Sequence, residues 1–208
     1  MAFTLTAARV ALEKLAALLE EKKEYLTDLD SAIGDADHGI NMNRGFVKVL
    51  EKLQGKEYND FAEIFRDVAM TLMSVVGGSA GPLYGTFFMK TGQALAGKNE
   101  ATAEEFANAM QEGLKGIMAL GKSTLGDKTM VDAISPAIEA LKSIPDDERA
   151  AWASAADAAE EGMEATIPML AKRGRSSYLG ERSIGHQDPG ATSSWYLFSC
   201  FRDALPGS

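Results

Sequence analysis

The chain has 208 residues, 46% of them apolar, which suffices for one full hydrophobic core and excludes a disordered chain. Its 30 acidic and 21 basic residues leave a net charge of −9, and no Lys/Arg cluster could track a phosphate backbone, so no nucleic acid partner is expected. A single cysteine, Cys200, rules out an internal disulfide and a cysteine-based zinc site, and no apolar run approaches the roughly 20 residues of a membrane span.

The opening MAFTLTAARVALEKL is amphipathic and soon charged, unlike a secretion signal, so a cytoplasmic protein is expected. Val10, Leu12, Leu15, Leu18 and Leu19 stripe one face of a first helix. An irregular piece over 27–39 follows, then helical patterns over 40–53 and 60–76. The glycine loop GGSAGPLYG at 77–85 leads into a helix over 82–97, and Thr102 with Glu105 forms a capping box before the helix over 103–120. LGDKT at 125–129 precedes helical patterns over 129–143 and 147–170, in which Pro136 and Pro168 mark a start, kink or break. The long polar stretch KRGRSSYLGERSIGHQDPG at 172–190 separates these from a last helix over 190–204. With no period-2 alternation, linker or repeat, the reading is one all-α domain of about eight helices over 1–208. The irregular pieces hold both histidines and more than half of the 20 glycines, so function is expected there.

Gly116 to Ser123 satisfies the P-loop expression, but the residues before it form an amphipathic helix rather than a strand. Gly121 reads instead as a helix C-terminal cap with Lys122 beside it. The carboxylates are more informative. Asp35 and Asp37 lie in IGDADHG just after Asp28 and Asp30, and like charges this close call for a cation. The spacing is not that of an EF-hand, and oxygen donors without soft ligands suit Mg²⁺ or Ca²⁺. Three carboxylates could hold two ions bridging a polyphosphate; the alternative is that Asp35 or Asp37 caps the helix starting near Gly39. GGSAGPLYG offers backbone N–H groups and the Ser79 hydroxyl to an anion, or is simply a helix–helix turn. The 172–190 stretch is a surface excursion or a lid carrying Arg175 and Arg182, and His38 and His186 are acid/base groups, phosphate contacts or structural hydrogen-bonders. The residues alone thus lead to metal-bridged phosphate binding at one end of a helical domain.

DLDSAIGDADHGINMNRG, VVGGSAGPLYGTFF, GDKTMVDA and GRSSYLGERSIGHQDPGATS, in this order over nearly the whole chain, resemble the nucleotide-binding L subunit of dihydroxyacetone kinase. The resemblance implies a closed barrel of antiparallel amphipathic helices with nucleotide at one end. It implies tightly bound ADP/ATP as coenzyme, two Mg²⁺, and two partners: a K subunit holding dihydroxyacetone and an M subunit whose phosphohistidine rephosphorylates ADP. In another branch of the family a similar domain uses free ATP, and a non-catalytic nucleotide-sensing module is a third role for such a chain. Carried over by residue, Asp30, Asp35 and Asp37 are the metal ligands, and His38, Gly39, Ile40 and Asn41 the phosphate-side segment. Gly78, Ser79 and Ala80 form the second phosphate loop, Gly121 and Met130 lie near adenine, and Arg175, Asp188, Pro189 and Gly190 close over the nucleotide. His38 and Arg175 are the candidate catalytic residues. The family reads GGASG where this chain has GGSAG, which removes a hydroxyl at Ala80.

Overall fold

The computed structural model describes residues 2–144 and 147–205. Among them run nine α-helices: α1 (Leu5–Glu21), α2 (Lys23–Ile33), α3 (His38–Leu53), α4 (Phe61–Val75), α5 (Ala80–Ala94), α6 (Ala103–Gly121), α7 (Val131–Ser143), α8 (Glu148–Ala165) and α9 (Pro189–Asp203). Two residue pairs, β1 (Phe3–Thr4) and β2 (Glu100–Ala101), form an antiparallel bridge too short to show alternation, with Phe3 opposite Ala101. A 3₁₀ segment, Arg175–Ser183, crosses the α8–α9 connection and is broken at Gly180.

Helix starts follow capping chemistry. Thr4 accepts from Ala7 N at 3.2 Å to start α1, Asp60 from Glu63 N at 2.8 Å to start α4, and Thr102 with Glu105 closes the capping box of α6. Each helix then turns one apolar face inward, as Leu12, Leu15 and Leu19 do on α1 and Phe61, Phe65 and Leu72 on α4. α1 packs on α3, then each helix packs on the next from α3 to α9, and α9 returns to α1, so eight helices close a ring. The connections make ring neighbours antiparallel, and the fold is the closed all-α barrel expected. α2 sits outside the ring at one end, against α3 and α9.

The aromatic part of the core lies around β1. Phe3 is fully buried, with Phe106 at 5.0 Å, Trp152 at 4.9 Å and Phe201 at 5.4 Å between ring centroids. Side chains of this size each contribute about 1.5–3 kcal/mol by burial. That end of the barrel is filled and serves as foundation. In an up-and-down ring, alternate connections share an end. The α2–α3, α4–α5, α6–α7 and α8–α9 connections therefore meet at the end opposite β1, and these are the glycine-rich pieces of the sequence.

Several boundaries differ from expectation. Much of the piece read as irregular over 27–39 is helix α2, which buries Leu26, Asp30 and Ile33. Its inward face carries a carboxylate where an apolar residue would have revealed the period. α8 stops at Ala165, three residues before Pro168, because proline disfavours helical backbone before it, while Pro136 stays inside α7. Gly121 is the last residue of α6 rather than its left-handed cap; that conformation falls on Lys122, with φ of +51°.

Candidate functional site

The acidic turn joins α2 to α3. Asp30 Oδ2 accepts from the main-chain N–H groups of Asp37 at 2.9 Å and His38 at 3.1 Å, so a residue of α2 caps α3. Asp37 is the N-cap residue by position, yet its side chain makes no capping bond. The alternative of a local cap by Asp35 or Asp37 thus gives way to a cap from the preceding helix, which leaves the carboxylates of Asp35 and Asp37 for other work. Ala36 between them has φ of +59°, a conformation that costs a residue with a Cβ roughly 1–2 kcal/mol. One oxygen from each of Asp30, Asp35 and Asp37 lies within 4.8 Å of the others. A Cβ on Gly34 would sit 2.0 Å from Asp30 Oδ1, so only glycine leaves that carboxylate its place. Arg175 Nη2 pairs with Asp35 Oδ2 at 3.0 Å and is the cation that faces the cluster. Three hard oxygen donors with one arginine beside them fit a divalent cation such as Mg²⁺.

These carboxylates open onto a cavity that also receives the N-termini of four helices: His38 of α3, Ser79 and Ala80 of α5, Met130 of α7, and Asp188 with Pro189 of α9. Each brings the positive end of a helix dipole, which suits phosphate, and α5, with no side-chain cap, also offers free main-chain N–H groups, whereas Asp30 takes those of Asp37 and His38 and Asp188 takes that of Ala191. Gly78, with φ of +64°, makes the turn that brings α5 to the cavity. Asn41 Oδ1 accepts from Arg44 Nη2 at 2.8 Å, which leaves the Asn41 amide nitrogen as a donor at the cavity wall. Leu83, Ile117 and Met130 give the same cavity an apolar wall near Gly121, a surface suited to a flat ring.

His38 is held by a hydroxyl chain. Its Nε2 lies 2.9 Å from Ser193 Oγ, which meets Tyr84 OH at 2.8 Å, and Tyr84 OH meets Ser194 Oγ at 2.9 Å. Burial pushes the His38 pKa down to about 4, partly offset by Asp30, so the imidazole is neutral at pH 7. Burial also raises Asp188 to about 7 against the Ala191 N–H it accepts from at 2.7 Å.

Of the residues expected at the site, Asp30, Asp35, Asp37, His38 and Asn41 line this cavity, as do Gly78, Ser79 and Ala80, Gly121 and Met130, and Arg175 with Asp188, Pro189 and Gly190. Gly39 and Ile40 do not. Gly39 backs onto α2, where a Cβ would lie 2.0 Å from Lys23 O, and Ile40 is half exposed on the outer face. His186 and Arg182 are exposed away from the cavity. The Gly116–Ser123 match runs along the last turns of α6 and its cap, with helix rather than strand directly before Gly116. The sequence did not single out Tyr84, Ser123, Lys128, Thr129 or Arg173, all of which line the cavity. Only a serine pair early in α9 and a tyrosine early in α5 signal the hydroxyl chain, and nothing in LGDKT shows that Lys128 is buried.

The DAK2 domain model matches residues 32–203. The chain is 46% identical over 183 residues to the PEP-dependent dihydroxyacetone kinase, ADP-binding subunit DhaL of Escherichia coli (strain K12), covering 86% of this chain and 87% of that one. It is 41% identical over 187 residues to the PTS-dependent counterpart of Lactococcus lactis subsp. lactis (strain IL1403), covering 90% and 91%. The crystal structure of the C. freundii dihydroxyacetone kinase in complex with AMP-PNP and Mg²⁺ superposes with a TM-score of 0.74 at 28% identity, over 95% of this chain and 34% of that longer one. Matched along nearly its whole length by both family model and free-standing relatives, the chain belongs to the DAK2 domain family, among the L subunits of dihydroxyacetone kinase.

Proposed function

We propose that this chain is the ADP-binding phosphoryl-transfer subunit of a dihydroxyacetone kinase. In this reading ADP stays bound as a coenzyme, accepts a phosphoryl group from a phosphohistidine on an M subunit, and as ATP phosphorylates dihydroxyacetone held by a K subunit. The observation that carries it is the meeting of three carboxylates and four helix N-termini at one cavity that also has an apolar wall. The relatives named as ADP-binding subunits, and the AMP-PNP and Mg²⁺ in the C. freundii structure, support the choice of ligand.

Asp30, Asp35 and Asp37 would hold Mg²⁺, two ions in this proposal, which neutralise phosphate charge during transfer. The chain's own residues do the positioning. The main-chain N–H groups at the start of α5, which no side chain caps, orient the phosphates with the dipoles of α3 and α9, and the Leu83, Ile117 and Met130 wall takes the base. With Ala at position 80, Ser79 supplies the hydroxyl of that turn. Arg175 leaves its pairing with Asp35 to stabilise charge on the transferred group. His38, neutral and anchored through Nε2, serves as an oriented hydrogen-bonding group rather than a cation. The test is reconstitution with K and M proteins, following phosphoryl transfer to dihydroxyacetone. Asp35→Asn is expected to lower turnover by about 100-fold or more at ordinary Mg²⁺, since even outer-shell changes cost 10–100-fold. Undiminished transfer by that variant would overturn the assignment.

A further inference from the structure

The chain between α8 and α9 makes a strap whose middle, residues 170–182, places Arg173, Gly174, Arg175 and Ser176 on the cavity. The strap has little apolar anchorage: its 3₁₀ segment buries only Ser176 and Ser183, and Tyr178 at its crest is 87% exposed. Something other than a hydrophobic contact must hold it in place. At its base lies the ammonium of Lys128, a side chain with no exposure at all. Nζ donates to the carbonyls of Thr166 at 2.8 Å, Ile167 at 3.4 Å and Met169 at 3.2 Å on the entering limb. It also donates to Ser183 O at 2.7 Å and to His186 O on the leaving limb. An ammonium has three N–H donors, so five carbonyls around it share them. A buried cation is tolerable only with such partners, and these partners come from both ends of one excursion. The neighbouring turn adds to the tie: Lys172 N donates to Asp127 O at 3.1 Å, and Arg173 Nε lies 3.4 Å from Asp127 Oδ2.

We propose that Lys128 is a positioning residue that clasps the two limbs of the strap and thereby holds Arg173 and Arg175 over the bound nucleotide. This rests on the nucleotide reading above only for the ligand, since the clasp itself exists without one. Lys128 has φ of +62°, a conformation glycine adopts freely, so Lys128→Gly removes the ammonium without straining the backbone. The experiment has two arms on the full chain. Limited trypsin digestion without nucleotide reads cleavage at Lys172, Arg173, Arg175 and Arg182, and calorimetry reads Mg-ADP affinity. Lys128→Gly is expected to speed cleavage in the strap by about tenfold or more and to weaken Mg-ADP binding by a similar factor, because local opening sets both. Butylammonium, which restores a tethered-length cation with N–H donors, is expected to rescue both readouts, whereas tetramethylammonium, with charge but no donors, is not. Lys128→Met, which fills the space without a donor, is expected to open the strap and ignore butylammonium. Wild-type cleavage and affinity in both variants would overturn the proposal. So would loss of native circular dichroism in both, with or without butylammonium, which would make Lys128 a residue of the fold as a whole. A wild-type chain that binds no Mg-ADP, with rescuable strap cleavage in Lys128→Gly, would support the clasp and remove only the nucleotide reading.

Discussion

Ala36, Lys122 and Lys128 are the non-glycine residues with positive φ among the described residues, and all three lie in turns at the cavity end of the barrel. Strain of this kind persists where surrounding structure imposes it, and at Ala36, between the cavity-lining Asp35 and Asp37, and at Lys128 it falls at the cavity itself. At Ala36 it sets Asp35 and Asp37 on either side of one turn. Mg²⁺ bound at the proposed site is expected to raise the melting temperature, and Ala36→Gly is expected to keep that rise while raising stability by up to about 1 kcal/mol. Ala36→Val, whose branched side chain resists this conformation, is expected to lose that rise; a melt with and without Mg²⁺ reads both. At the other end, Glu148 is buried and its Oε1 accepts from Ala103 N at 2.6 Å. Burial pushes its carboxyl above the ordinary value of 4.5. The native state then holds this proton to higher pH than the unfolded chain, so its contribution is full below about pH 4.5 and is lost as pH rises through the folded pKa. Glu148→Gln, which keeps an acceptor for Ala103, is expected to melt higher than wild type at pH 7 but not at pH 4. Equal melting differences at the two pH values would contradict this.

Among the elements, α7 and α8 show how close packing depends on one missing side chain. Pro136 has no N–H for the carbonyl of Asp132, and Gly162 of α8 packs against that freed oxygen, where a Cβ would lie 2.2 Å from it. Gly162→Ala is expected to cost about 1–3 kcal/mol in urea unfolding, because the obstacle is backbone and the helices must separate. α2 shows why an element can escape a sequence reading. Helix periodicity is read from apolar residues, and the inward position of α2 between Leu26 and Ile33 belongs to Asp30. That carboxylate is buried because it caps α3 across the turn, a partnership between elements that no local spacing encodes. Glycine and aspartate density did mark the turn itself. It could not tell Gly39, which spaces α3 from α2, from Gly78, which shapes a wall of the cavity.

In the whole molecule, the up-and-down ring sorts its connections by parity. Connections beside β1 stand over the aromatic core, and those at the far end gather the acidic turn, the glycine turn, LGDKT and the strap. The order of the helices was legible from their amphipathic periods, and with it the gathering of these four pieces. The roles of Lys128 and of the Tyr84–Ser193 pair were not, since they depend on which side chain reaches across the end of the barrel. The charge of the site has the same origin. Asp30, Asp35 and Asp37 are set close together by two helices and a strained turn, and Arg175 alone meets them from the strap. In the proposed function, nucleotide bound through Mg²⁺ is the ligand that would complete this arrangement. The most direct measurement is to purify the protein in Mg²⁺, challenge it with excess labelled ATP, remove free nucleotide by gel filtration, and identify what denaturation releases with and without prior EDTA. The account predicts near-stoichiometric unlabelled ADP that resists exchange in Mg²⁺ and is lost after EDTA. Labelled ATP in its place would point to an exchangeable-nucleotide kinase, and no nucleotide in Mg²⁺, or retention unaffected by EDTA, would contradict the assignment of the three aspartates.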